Sequence, residues 1–209
     1  MGKHKRPSCK ICRRNKEKLY LKGSRCFTAK CEIEKRNFPP GMPAKMNRKL
    51  SDYGIRLREK QKLRFFYGVS ESQAKRYFRI AFHRKGITGN NLLESLEKRF
   101  DNVVYRAGLA ESRTHGRQMI RHRLFELNGR RVNIPSIGLQ VGDEIAILKS
   151  KEERYTKVID AIAERSLPQW LGFDAAKKVI KVLSTPERSE IDTPVNEQYI
   201  VEFYSRMTK

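Results

Sequence analysis

Apolar residues recur at helical spacing through most of the chain, and alternate at strand spacing only in its second half. From 51 to 67, Tyr53, Ile55, Leu57, Phe65 and Phe66 lie toward one side of a helix that Ser51-Asp52 starts and Gly68 ends. Ser70-Glu71 opens a second, with Ala74, Tyr77, Phe78, Ala81 and Phe82 inward and Gly86 as its stop. Leu92, Leu93, Leu96, Phe100, Val103, Val104 and Ala107 keep the i, i+3, i+4, i+7 rule, which predicts one nearly neutral core helix over 90–107, ended by Gly108. Ser112 then suits the start of a short helix that buries Met119, Ile120 and Leu124. Asn128-Gly129 between Phe125-Glu126-Leu127 and Arg130-Arg131-Val132 predicts a hairpin with positive φ at both central residues. A turn at Val141-Gly142-Asp143 and a strand follow, ending at Ile147. Ser150-Lys151-Glu152-Glu153 has the capping-box pattern and predicts a helix to about residue 165, burying Tyr155, Val158, Ile159 and Ile162 and broken by Pro168. Trp170, Leu171 and Phe173 read as anchors on a core, and 179–182 and 199–204 as two short strands.

Charge changes the picture. The 209 residues hold 46 Lys/Arg against 23 Asp/Glu, a formal charge of +23 that points to a polyanionic partner, nucleic acid ahead of a membrane surface. The excess is uneven: residues 1–50 have 16 cations against 3 acids, 51–90 have 10 against 3, and 151–209 balance at 10 against 10. No stretch is long and apolar enough to span a membrane, and the basic MGKHKRPSCK start has no apolar run of a secretory signal.

Without a secretion signal, four cysteines read as thiolate ligands in place of disulfides. Cys9-x-x-Cys12 and Cys26-x₄-Cys31 give the tetrahedral sulfur spacing of a structural metal, zinc by default or else an iron–sulfur cluster. Leu19, Tyr20, Leu21 and Phe27 supply too little apolar surface to fold that segment without a staple. The run 37–43, with three prolines and a glycine, reads as an extended connector.

Arg113, Arg117 and Arg121 recur every four residues and predict three guanidinium groups along one helix side, with Arg130 and Arg131 beside the hairpin turn. The set expected to grip RNA is Arg113, Arg117, Gln118, Arg121, His122, Arg130 and Arg131, together with Lys45, Arg48, Lys49, Tyr53, Arg56, Arg58, Lys60, Lys62 and Arg64. In the helix over 51–67 the cations outnumber nearby acids, which argues for contact with phosphate over simple solvation. Neither a Gly-rich phosphate loop, an HExxH helix nor a nucleophile elbow is present, and His4, His83, His115 and His122 have no paired acid or nucleophile in sequence, so no enzyme is expected.

Several blocks in order carry a resemblance: the four cysteines; Ser51-Asp52-Tyr53-Gly54 with Leu57-Arg58-Glu59-Lys60-Gln61-Lys62-Leu63-Arg64; and Tyr67-Gly68-Val69-Ser70-Glu71. Asp101-Asn102-Val103-Val104-Tyr105-Arg106, Val132-Asn133-Ile134-Pro135-Ser136, and Asn196-Glu197-Gln198 with Val201-Glu202-Phe203-Tyr204-Ser205-Arg206 continue it. Over nearly its whole length the chain resembles the family of the fourth protein of the bacterial small ribosomal subunit. The resemblance implies an α+β architecture: a basic metal-stapled extension at 1–44, a mainly helical domain at 45–96 completed by 168–209, and an inserted RNA-binding module at 97–167 of two helices on a small antiparallel sheet. It implies a cytoplasmic, primary 16S rRNA-binding protein that nucleates small-subunit assembly and lies near the mRNA entry channel. Contact with the fifth small-subunit protein and an influence on accuracy are implied as well. The chain departs from the family pattern at Met42-Pro43-Ala44, at Gly116 where alanine is usual, and at Arg123-Leu124 where a glycine cap is usual.

Overall fold

A computed structural model describes residues 7–42, 49–163 and 166–206. In chain order its helices are α1 (Ser8–Asn15), α2 (Glu32–Lys35), α3 (Asp52–Tyr67), α4 (Glu71–His83), α5 (Thr88–Glu97), α6 (Phe100–Arg106), α7 (Arg113–Arg121), α8 (Glu152–Ala163) and α9 (Glu197–Ser205). The strands are β1 (Phe125–Leu127), β2 (Arg130–Val132), β3 (Glu144–Ile147), β4 (Leu171–Asp174) and β5 (Val179–Val182). They divide into two compact units, one of 1–92 with 193–209 and one of 93–192.

In the first unit the caps fall where side-chain chemistry puts them. Ser51 accepts from the Gly54 N–H at 3.2 Å, and Gly68 closes α3 at φ 64°. Ser70 and Gln73 complete a capping box at the start of α4. The segment 199–204, expected as a strand from its Tyr-Ile-Val-Glu-Phe-Tyr composition, is helical. Asn196 caps α9 by accepting from the Gln198 N–H at 3.0 Å, and Ile200, Phe203 and Tyr204 recur at helical spacing on its buried side. Packing against α3 and α4 overrides the β propensity of the individual residues.

In the second unit the long core helix expected over 90–107 is two helices. Arg99 is extended (ψ 137°), and the Phe100 and Asp101 N–H groups donate to the carbonyls of Ile137 (2.8 Å) and Pro135 (3.1 Å) instead of to the preceding turn. The Val-Asn-Ile-Pro-Ser loop therefore opens the helix by taking over its hydrogen bonds. The apolar spacing survives the break, since Phe100, Val103 and Val104 are fully buried.

Asn128 (φ 50°) and Gly129 (φ 74°) form the expected hairpin turn. The Asn128 amide adds to it, donating to Asp143 at 2.8 Å and accepting from the Glu144 N–H at 2.8 Å. The antiparallel sheet has the order β2-β1-β3-β5-β4. Residues 168–192 thus do not complete the helical domain as the resemblance implied: β5 pairs with β3 through Ile180↔Ile145, and Trp170, Leu171 and Val182 join this unit's core. The expected capping box at Ser150 is replaced by a 3₁₀ turn over Lys149–Lys151 whose N-cap, Leu148, has no side-chain bond; the expected end of α8 near residue 165 lies outside the described residues.

At the end of α7, Arg123 occupies the left-handed position (φ 57°) where glycine is usual. Its N–H reaches Ile120 C=O at 2.8 Å and the Leu124 N–H reaches Met119 C=O at 3.3 Å, the paired bonds of a Schellman closure. A non-glycine residue pays for that conformation, so Arg123→Gly is expected to stabilise the unit by about 1 kcal/mol. Urea unfolding would read this as a raised midpoint; an unchanged or lower midpoint would mean that the Arg123 side chain makes a stabilising contact.

Candidate nucleic-acid interface

The cations of α3 are largely committed to partners from distant parts of the first unit. Arg56 pairs with Glu202, Lys62 with Glu17 (2.8 Å) and Glu59 (3.1 Å), and Arg64 with Glu71 (2.9 Å). Lys60 is only 5% exposed, bonded to Glu71 at 2.8 Å, with its ammonium 4.7 Å from the centre of the Phe203 ring. Lys60 and Lys62 are therefore interior ion pairs, not an outward row; beyond Glu59 on α3 itself, their acids come from just after the end of α1 (Glu17) and from the start of α4 (Glu71). Arg58 is half-buried and has no ion pair among the described residues. Lys49 is exposed, and Tyr53 is exposed with its ring 5.7 Å from Phe203. Lys45 and Arg48 lie outside the described residues.

Burial pushes the Glu71 carboxyl up, but Lys60, Arg64 and the Tyr204 hydroxyl outweigh it and hold it below the usual carboxylate range. A carboxylate with a depressed folded-state pKa contributes stability above its unfolded pKa and loses it as pH falls through the folded value.

In the second unit the expected three-arginine face is not presented. The solvent side of α7 carries His115, Gln118, Arg121 and His122, whereas Arg117 is buried at 8% exposure. Arg113 is half-buried, its Nε donating to Asn102 Oδ1 at 2.7 Å and its guanidinium 4.5 Å from the Tyr105 ring centre. Asn102 in turn donates to Glu97 Oε2 at 2.7 Å, and Arg106 donates to both Glu97 oxygens at 3.0 Å. Arg99 and Asp101 form a second buried pair at 2.7 Å. The Asp-Asn-Val-Val-Tyr-Arg block is thus a framework that seats α7 on α6. Gly116 lets them close: a Cβ there would stand 3.1 Å from the Asp101 carbonyl. A four-residue repeat drifts about 40° per step around a helix, so Arg113 and Arg117 turn inward while Arg121 stays out.

The cations left facing water define the candidate surfaces, one on each unit. On the second unit they include Arg121 with His122, Arg123 at the turn, and Arg130 and Arg131 on the edge strand β2. On the first they include Lys75, Arg76 and Arg79 of α4, all exposed and without ion pairs among the described residues. The sequence list omitted these three; the available signal was their place opposite Ala74, Phe78 and Ala81. Such surfaces can hold phosphates. His83, His115 and His122 are exposed.

The four thiols were expected to form a metal module, and the structure does not support it: among the described residues no three His, Cys, Asp or Glu side chains converge as ligands. The donor chemistry suits a thiophilic ion all the same. Burial first, then the proximity of Cys26, Cys9 and Cys31, pushes the Cys12 thiol up to about 11 against a backbone hydrogen bond with Leu19, and the Lys22 N–H reaches Cys26 Sγ at 3.4 Å.

Family comparison accords with this geometry. Residues 3–97 match the Ribosomal protein S4/S9 N-terminal domain and residues 98–145 the S4 domain, so the class is that of S4-domain proteins. The Small ribosomal subunit protein uS4A of Symbiobacterium thermophilum is 50% identical over 207 residues, covering 99% of this chain and all of that protein. The uS4 proteins of Dictyoglomus turgidum and Geobacter metallireducens are each 49% identical, again over 99% of this chain and their full lengths. The chain belongs to the small ribosomal subunit protein uS4 family.

Two substitutions separate interior from surface arginines. Arg117→Ala is expected to destabilise by on the order of 2 kcal/mol, and Arg121→Ala by less than about 0.5 kcal/mol. Chemical denaturation of both reads the difference; equal midpoints would return Arg117 to the surface. The N-terminal unit of the Glu71→Gln variant is expected to be less stable at neutral pH, with the difference from wild type shrinking below the ordinary carboxylate pKa. A difference that persists undiminished at pH 3 would contradict the ion-pair assignment.

Proposed function

We propose that this chain is an rRNA-binding constituent of the small ribosomal subunit. It meets 16S rRNA early and nucleates assembly around it, then lies near the mRNA entry channel, touches the fifth small-subunit protein and influences decoding accuracy. It works in the cytoplasm within that subunit and takes no membrane partner and no small-molecule substrate. The observation that carries the reading is the division of charge: carboxylates meet the buried cations Lys60, Lys62 and Arg99, and exposed cations remain on both units. Dispersed exposed cations suit the backbone and shape of folded RNA better than the edges of a few bases. Family membership supports the finer parts.

RNA contact belongs to the exposed members of the expected set, namely Lys49, Tyr53, Arg121, His122, Arg130 and Arg131, with Gln118 beside them, and to Lys75, Arg76 and Arg79. If about ten phosphates are met, log Kobs against log salt falls with a slope of roughly −7 to −9. A slope near −2 would contradict the reading. On sedimentation the protein is expected with small subunits; recovery only in light fractions would favour a free-standing regulator.

The thiols Cys9, Cys12, Cys26 and Cys31 are read as a ligand set for zinc, or alternatively for an iron–sulfur cluster; their spacing and donor chemistry support this. Binding must displace the Cys12 proton, so affinity falls steeply as pH is lowered. Cys12→Ser is expected to remove the metal and loosen 1–40 while leaving the fold of 93–192 intact. Zinc and iron content unchanged in that variant would remove the site.

A further inference from the structure

Tyr20 and Phe27 form an aromatic pair on the surface of the first unit, with ring centres 4.8 Å apart and planes 26° from parallel. Phe27 is 72% exposed and Tyr20 is 37% exposed, so the pair leaves ring surface in water. The backbone holds it in place. Leu19 beside it is fully buried, and Tyr20 itself is left-handed at φ 49°, an uncommon conformation for a bulky residue. Phe27 ends the 3₁₀ turn Gly23–Phe27, which the Thr28 N–H closes on the Arg25 carbonyl, and the Cys31 N–H fixes the next turn on Thr28 at 3.0 Å. Lys22, Arg25 and Lys30 are exposed around it and make no ion pairs among the described residues.

An apolar ring fixed in water among unpaired cations suits a ligand that is flat, aromatic and anionic at its edge. We propose that Phe27, backed by Tyr20, is a stacking platform for one unpaired nucleobase, with Lys22, Arg25 and Lys30 meeting the adjoining phosphates. The assignment rests on the RNA-binding reading above and adds a contact of a different kind, since stacking needs a π face and is nearly independent of salt, whereas phosphate contacts are the reverse.

The test uses the full chain and transcribed small-subunit rRNA at fixed salt. Phe27→Ala and Phe27→Leu are each expected to bind about tenfold more weakly, Phe27→Tyr to bind within about twofold of wild type, and all to keep the salt slope and thermal midpoint of wild type. Affinity retained in Phe27→Ala, or restored in Phe27→Leu, would overturn the platform while leaving RNA binding in place. A lowered thermal midpoint or an altered slope in Phe27→Ala would also overturn it, as a structural or phosphate-contact role. Wild-type protein that does not prefer rRNA to an unrelated transcript of equal length would overturn the proposed function and the platform together.

Discussion

A chain with 46 cations and 23 acids can fold only if its carboxylates go where positive charge is buried. An unpaired ammonium or guanidinium in a low-dielectric interior is far more costly than one in water. Lys60 sits between Glu71 and two aromatic rings, Lys62 between Glu17 and Glu59, and Arg99 against Asp101. Several of these pairs also tie elements distant in sequence: Glu17 follows α1 and holds Lys62, Glu71 begins α4 and holds Lys60, and Glu202 of α9 likewise holds Arg56 of α3. The acids that secure the fold are therefore unavailable to neutralise the outer faces, and the surplus of positive charge collects there.

The second unit applies the same rule to a polar network. Glu97 receives Asn102 and Arg106, Asn102 receives Arg113, and the start of α7 is fixed as a result. What α7 then offers to solvent is a short surface of His115, Gln118, Arg121 and His122, with the arginines of the edge strand β2 exposed on the same unit. Backbone geometry enters at two points, the left-handed Arg123 that closes α7 and the glycine at 116 that lets it lie against α6. A positioned helix end with a cationic tip can hold a phosphate backbone, and it needs no catalytic group.

Local chemistry was legible in the sequence. Ser51, Ser70 and Ser112 cap where their side chains allow, Gly68 stops α3, and Asn128-Gly129 turns the hairpin. What could not be read was anything decided by partners far along the chain. The break at Arg99 depends on carbonyls at 135 and 137, the helicity of 199–204 on α3 and α4, and the placement of 171–182 on pairing with β3. The burial of some candidate-site residues was hidden in the same way. The burial of Lys60 and Lys62 depends on Glu71 in the next helix and on Glu17 far back in the chain, neither visible from the α3 segment alone, and that of Arg117 on the winding of a four-residue repeat around the helix.

The division of cations into interior and outward sets is tested most directly by lysine acetylation, mapped residue by residue by mass spectrometry with and without small-subunit rRNA. The account expects Lys60 and Lys62 to resist the reagent in both states, and Lys22, Lys30 and Lys75 to react freely in the isolated protein and become protected on the RNA. Lys60 and Lys62 reacting readily in the free protein and gaining protection from RNA, with Lys75 indifferent to it, would contradict it.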